Sequence, residues 1–114
     1  MADPIVTDPE KYRLLWENDR VRVLEYRDSP ADQTHPHDHP DSVMITLSSF
    51  ERSISSGDQE ISVHLEAGQA RWLGAQTHTG HNTGDTDTRA IFVELKEPRP
   101  NKVDVPTALG PSSS

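Results

Sequence analysis

The chain has 114 residues, a net charge of −8 and no cysteine. That length fits a single domain with a modest core. The acidity, with no Lys/Arg cluster, argues against nucleic acid or anionic membrane as partners, and the missing cysteines exclude disulfides, thiolate ligands and a thiol nucleophile.

The first residues, Met1 to Pro9, have neither the basic nor the apolar region of a signal peptide. No apolar run approaches the roughly 20 residues of a membrane span. A soluble, cytoplasmic protein is expected. Asp8-Pro9-Glu10 reads as a helix start, with Asp as N-cap and Pro at the first helical position. Tyr12, Leu14 and Trp16 alternate instead, as in a strand, and an extended arm is the reading preferred for this segment.

Strand signals then follow one another. Val21, Val23, Leu24 and Tyr26 form a strand that ends near Asp28-Ser29-Pro30. Val43 to Phe50 is nearly continuous in apolar character, as expected for a strand buried on both faces. Ile54 and the run Ile61, Val63, Leu65 flank Ser56-Gly57-Asp58-Gln59, a hairpin turn. Ala67-Gly68 leads into Ala70 to Leu73, Asn82 to Asp85 is a further turn, and Ala90 to Leu95 closes the series. Short strands separated by turns predict an all-β sandwich or barrel. The folded domain is placed at residues 8–97. Residues 98–114, rich in Pro and Ser, are expected to form a flexible tail.

Three of the six histidines alternate in Thr34-His35-Pro36-His37-Asp38-His39-Pro40. Side chains at i, i+2 and i+4 of an extended segment share a face. Pro36 and Pro40 push the residues before them towards that extended form. Neutral imidazoles aimed one way suit a divalent ion, at about 2.0–2.2 Å. A third donor must come from another strand, and His78 is the candidate. Loop histidines beside prolines can also be plain surface residues, and His64, alone on a hairpin strand, is read as one. Asn82 is read as a turn residue serving its own backbone. Trp72 and Phe92 are read as core, and Arg20, Arg22 and Arg71 as surface partners of acids.

Ala31 through His39 resembles the first motif of the cupins: a small turn residue, five residues, then His-x-His. Gly68 through Asn82 resembles the second, with Gly74, His78 and Asn82 at its marked positions. Over residues 8–97 the chain is similar to small bacterial single-domain cupins of the RmlC-like superfamily. The resemblance implies a jelly-roll-type double-stranded β-helix. It implies one divalent transition-metal ion (Zn, Fe, Ni, Mn or Co) on His37, His39 and His78. It also implies a metal-dependent enzyme acting on a small molecule in the barrel, by cyclase, isomerase or dioxygenase chemistry. A binding or sensing module without turnover is the alternative, because the fold hosts both.

One position departs from the pattern. A glutamate usually follows the second histidine, and here Val43 and Met44 stand in its place. Water or a further residue would then complete the site. His35, Asp41 and His81 are the options, with His35 ahead of His81 because strand alternation turns His81 away from His78. A histidine off the metal, His35 or His81, is the expected catalytic base. A short core and an arm bearing Tyr12, Leu14 and Trp16 predict a homodimer.

Overall fold

The computed structural model describes residues 3–97 and 109–111. A single helical turn, α1 (Pro4–Thr7), opens the chain; Asp3 caps it by accepting from the Ile5 amide at 3.0 Å. The helix thus lies before Asp8 rather than after it. Among the described residues nine strands follow: β1 (Tyr12–Glu17), β2 (Val21–Asp28), β3 (His37–His39), β4 (Ser42–Thr46), β5 (Phe50–Ser56), β6 (Gln59–Leu65), β7 (Ala70–Leu73), β8 (Gln76–Asn82) and β9 (Thr88–Leu95). They form two sheets, ordered β1-β2-β9-β4-β7 and β3-β8-β5-β6. Among the described residues no helix is long and apolar enough to cross a membrane.

The sandwich interior is built by alternation. Leu24 and Tyr26 of β2, Met44 of β4, Phe50 and Ile54 of β5, and Ala90 and Phe92 of β9 are all buried. Two expectations need correction. The apolar run from Val43 to Phe50 is two strands in different sheets, because the chain crosses over at Leu47-Ser48-Ser49. The segment expected as a free arm is β1, and it pairs with β2 of its own chain, with a bulge between Leu14 and Trp16.

Turn chemistry follows the sequence. Gly57 and Gly68 take φ of +58° and +83°, where an L side chain would be strained. Ala31, the small residue that opens the first histidine motif, also takes a left-handed φ of +76°. Of the C-terminal stretch, 98–108 and 112–114 lie outside the described residues. Leu109 to Pro111 do not leave the domain. The Gly110 amide donates to Gln76 Oε1 at 2.8 Å, and a Cβ at Gly110 would stand 2.9 Å from Ile61 Cδ1.

A charged cluster fills one part of the interior. The Arg52 guanidinium donates to Asp28 Oδ2 at 2.8 Å, to Thr88 Oγ1 at 3.0 Å and to the Tyr26 hydroxyl at 3.2 Å. The Tyr26 hydroxyl in turn donates to Asp28. Asp28 Oδ1 accepts from Asn82 Nδ2 at 3.0 Å. Asn82 serves its own turn, as read from the sequence, by accepting from the Gly84 amide at 3.0 Å, and in addition it ties β8 to β2. Gly80 is required beside this cluster, because any Cβ there would collide with the guanidinium.

Candidate metal centre

β3 and β8 pair antiparallel with His37 directly opposite His78 and His39 opposite Gln76. Alternation along β3 turns both His37 and His39 inward, and alternation along β8 does the same for His78. All three are buried, and one ring nitrogen from each lies within 4.8 Å of the others.

The outer nitrogen of every ring is already used. His37 Nδ1 donates to the His35 carbonyl at 2.8 Å. His39 Nδ1 donates to Glu94 Oε2 at 3.3 Å. His78 Nδ1 donates to Gln76 Oε1 at 2.7 Å, and Gln76 is oriented by its Nε2 donating to the Gly74 carbonyl at 2.9 Å. A proton on Nδ1 leaves a lone pair on Nε2. The consequence is plain at His37 and His39, whose Nε2 atoms face each other at 3.0 Å with no donor between them. A cation accepting from both relieves that repulsion. The donor set fits a divalent ion of borderline softness, and each anchor fixes the tautomer such an ion requires.

Behind His39 the anchoring runs deeper. Glu94 is 2% exposed and accepts from Arg22 at 2.8 and 3.0 Å. Arg22 makes a second, two-pronged pair with Asp3 at 2.8 and 3.0 Å. That contact holds the Asp3 carboxyl below the usual range and the guanidinium firmly charged. Arg22 is therefore not a plain surface partner. It fixes the carboxylate that orients a site histidine.

The other residues predicted for the site lie elsewhere. The His35 side chain is 74% exposed and its ring binds Asp8 at 3.0 Å. The reason is local: regular strand begins only at His37, and the His35 carbonyl serves the His37 ring. His81 faces away from His78, as alternation required, and bridges Gln33 through its backbone. Neither is brought to the triad. The Asp41 carboxylate accepts from the Ala75 amide at 2.8 Å. His64 is exposed between Glu51 and Glu66, as read. Met44 is buried and lines the chamber, while Val43 points to the opposite face. Trp72 is 43% exposed and is not core; Phe92 is core and stacks on His39 with ring centroids 5.2 Å apart.

One residue next to the site went unrecognised as such in the sequence. The Tyr12 hydroxyl stands 3.3 Å from His37 Nε2, and burial pushes its pKa well up, so the phenol stays protonated. His37, His78 and Tyr12 border an apolar chamber of about 40 Å³ that Met44, Leu73 and Phe92 also line, with Pro111 against it, whereas His39 lines a cleft of about 710 Å³ with Arg22, Gln76 and Glu94.

Burial lowers the His37 pKa to about 4, with the neighbouring His39 adding to the effect, and lowers that of His78 to about 2. The ordinary value is 6.5. In the metal-free protein the unfolded chain therefore takes up protons below pH 6.5 that the folded chain refuses. Stability is full above that pH and falls as pH drops towards 4, by up to about 1.4 kcal/mol per pH unit for each imidazole. Exposed His64, held up by Glu66, works weakly in the other direction. The urea midpoint of chelator-treated protein should fall between pH 7 and pH 5. A His37→Gln/His78→Gln double variant should show a much flatter profile. Equal slopes would show that these imidazoles are not buried and neutral.

No protein-family model matches the chain, and no curated protein matches it in sequence. Solved structures do match. A cupin domain from Bordetella pertussis Tohama I superposes with a TM-score of 0.70 at 23% identity, over 75% of this chain and 92% of that one. An RmlC-like cupin with a double-stranded β-helix fold from Methanocaldococcus jannaschii gives 0.60 at 13% identity, over 74% and 77%. The polyketide cyclase RemF from Streptomyces resistomycificus gives 0.58 at 22% identity, over 78% and 66%. The fold is that of a small cupin, and its four-stranded sheet carries a buried histidine triad able to hold an ion.

Proposed function

We propose that this cupin-fold chain is a metal-dependent protein acting on a small organic molecule held inside the sandwich, with His37, His39 and His78 as the protein's ligands. The carrying observation is that all three Nδ1 atoms are anchored, so that three Nε2 lone pairs are left facing one another beside an apolar chamber. A divalent ion there supplies Lewis-acid polarisation of a carbonyl or enolate oxygen. The three donors are neutral, and Met44 stands where a carboxylate is usual, so the ion's charge is not offset by its ligands. The Tyr12 phenol, neutral and beside His37, is the group placed to donate a proton or hydrogen bond to an oxygen in the chamber. It supplies a proton donor, whereas the sequence suggested a base at His35 or His81. Phe92, Met44 and Leu73 exclude bulk water from that oxygen. Arg52 reaches the same chamber but is engaged by Asp28, so it is a structural cation first.

Cyclase and isomerase chemistry fit this set of groups, since both turn on a polarised oxygen and a mobile proton. The presence of a polyketide cyclase among the structural neighbours is consistent with that choice. A second reading, a binding module without turnover, is favoured by one observation: a chamber of about 40 Å³ holds a few waters and no more. A substrate inside that chamber would have to displace side chains or the Leu109–Pro111 segment.

Cobalt(II) substitution separates these readings. Small enolisable ligands such as acetylacetone should perturb the cobalt d–d bands if an open position faces the chamber, and Tyr12→Phe should alter that response without loss of metal. Bands indifferent to every such ligand would mark a closed, structural metal. Met44→Glu should strengthen metal retention, by about tenfold or more, since it adds an anionic donor on the inward face. Val43→Glu should not, because that side chain points away. Equal effects of the two would contradict the assigned inward face of β4.

A further inference from the structure

Each ring of the triad is fixed through Nδ1, and each fixing group is in turn held by a segment outside the strands. At His37 the fixing group is the His35 carbonyl. His35 precedes β3, which begins at His37, and its amide is held instead by the Asp8 carboxylate at 3.1 and 3.3 Å. Asp8 is fully buried, accepts from the Thr7 hydroxyl at 2.9 Å and closes α1. At His39 the fixing group is Glu94, held by Arg22, and Arg22 is held on its other side by Asp3, which caps α1. At His78 it is Gln76 Oε1, which also accepts from the Gly110 amide at 2.8 Å. Two short segments, residues 3–8 and 109–111, thus stand behind all three rings. The second is fitted closely: Gly110 takes a φ of +77°, and a Cβ there would stand 2.9 Å from Ile61 Cδ1.

We propose that Asp8 and the Gly110 amide are positioning groups of the metal centre, a role that rests on the ligand assignment above. Docking of the two segments and occupancy of the centre then reinforce each other. A ring whose Nδ1 partner is pinned keeps its Nε2 lone pair aimed and loses little rotational freedom when an ion arrives. Linkage makes the effect reciprocal. If undocking a segment weakens metal binding by some factor, bound metal favours the docked segment by the same factor. Direct outer partners of metal-bound histidines are worth about 10–100-fold in affinity. These groups act one hydrogen bond further out, so the lower end, about tenfold, is expected of each.

Competition with a chromophoric chelator reads the zinc affinity of the full chain at neutral pH. Asp8→Ala should bind zinc about tenfold more weakly, and so should Gly110→Val, whose side chain is strained at that φ and collides with Ile61. Asp8→Asn keeps an oxygen for the His35 amide and should recover most of the loss. His35→Ala keeps the backbone that Asp8 holds and should bind like wild type. If Asp8→Ala does not fold, hydrogen exchange in the wild type carries the test. Zinc should slow exchange of the His35 and Gly110 amides by about tenfold, while the Asp58 amide, in the turn between β5 and β6, exchanges as before. Folded variants that bind zinc like wild type, or His35 and Gly110 amides indifferent to bound zinc, overturn the positioning role and leave the ligand assignment standing. An Asp8→Asn variant as weak as Asp8→Ala also overturns it, because charge rather than the hydrogen bond would then matter. A wild type that binds no zinc overturns both.

Discussion

Removing any one of His37, His39 or His78 is expected to empty the metal centre. Protein purified without chelator should carry close to one divalent ion per chain, and His37→Ala, His39→Ala and His78→Ala should each fall to a tenth of that or less. Outer partners of metal-bound histidines alone are worth about 10–100-fold in affinity. Loss of a direct donor from a set of three should exceed that. The anchors allow a graded test: Glu94→Gln and Gln76→Ala should sit between wild type and the histidine variants, because each frees a ring that is now fixed. His35→Ala and His81→Ala should keep full metal, since the one ring lies on Asp8 at the surface and the other faces away. Elemental analysis reads all of these. Full loading in His37→Ala or His78→Ala would remove the assignment, and loss of metal in His35→Ala would restore the ligand set that the alternating histidines first suggested.

The largest effect on stability should come from Asp28→Ala. Arg52 is buried and its charge is balanced by Asp28 at 2.8 Å. The same carboxylate collects the Tyr26 hydroxyl, the Asn82 amide and the Thr88 backbone N–H. Its loss strands the guanidinium and several donors in a dry interior. Breaking one side of such a pair costs about 3–5 kcal/mol, a large share of the roughly 5–15 kcal/mol that holds a domain together. Urea denaturation should show Asp28→Ala partly unfolded at room temperature. Arg52→Met in the same chain should recover much of the loss, because two neutral groups can replace a buried ion pair. A single variant within about 1 kcal/mol of wild type would mean that water reaches Arg52, and the chamber would then be wetter than described.

The cupin fold was legible because its strands are short and bounded by turn residues, and because both histidine motifs are intact in spacing. Proline on either side of the His-x-His segment set the extended form that aims His37 and His39 together. The same logic overreached at His35. Alternation requires a strand, and the strand begins at His37. Tyr12 and Arg52 were missed for a shared reason: each owes its role to a distant partner, Tyr12 to His37 and Arg52 to Asp28. Arg52 did carry a signal, since it lies between inward-facing Phe50 and Ile54. Trp72 was misread as core because a chain with so few aromatics was expected to bury them. Register against Val43 shows it at the end of an outer apolar row instead. Arg22 looked like one more surface cation, and only the fold reveals that it ties Asp3 and Glu94 behind His39.

X-ray absorption at the edge of a metal added stoichiometrically to the chelator-treated protein reads the ligand set of the ion. The first shell should contain three imidazole nitrogens at about 2.0–2.2 Å, with the remaining scatterers from solvent oxygen and none from a protein carboxylate. A first shell with a single imidazole and carboxylate oxygens, as the exposed group of His64, Glu51 and Glu66 would provide, would contradict the three-histidine assignment.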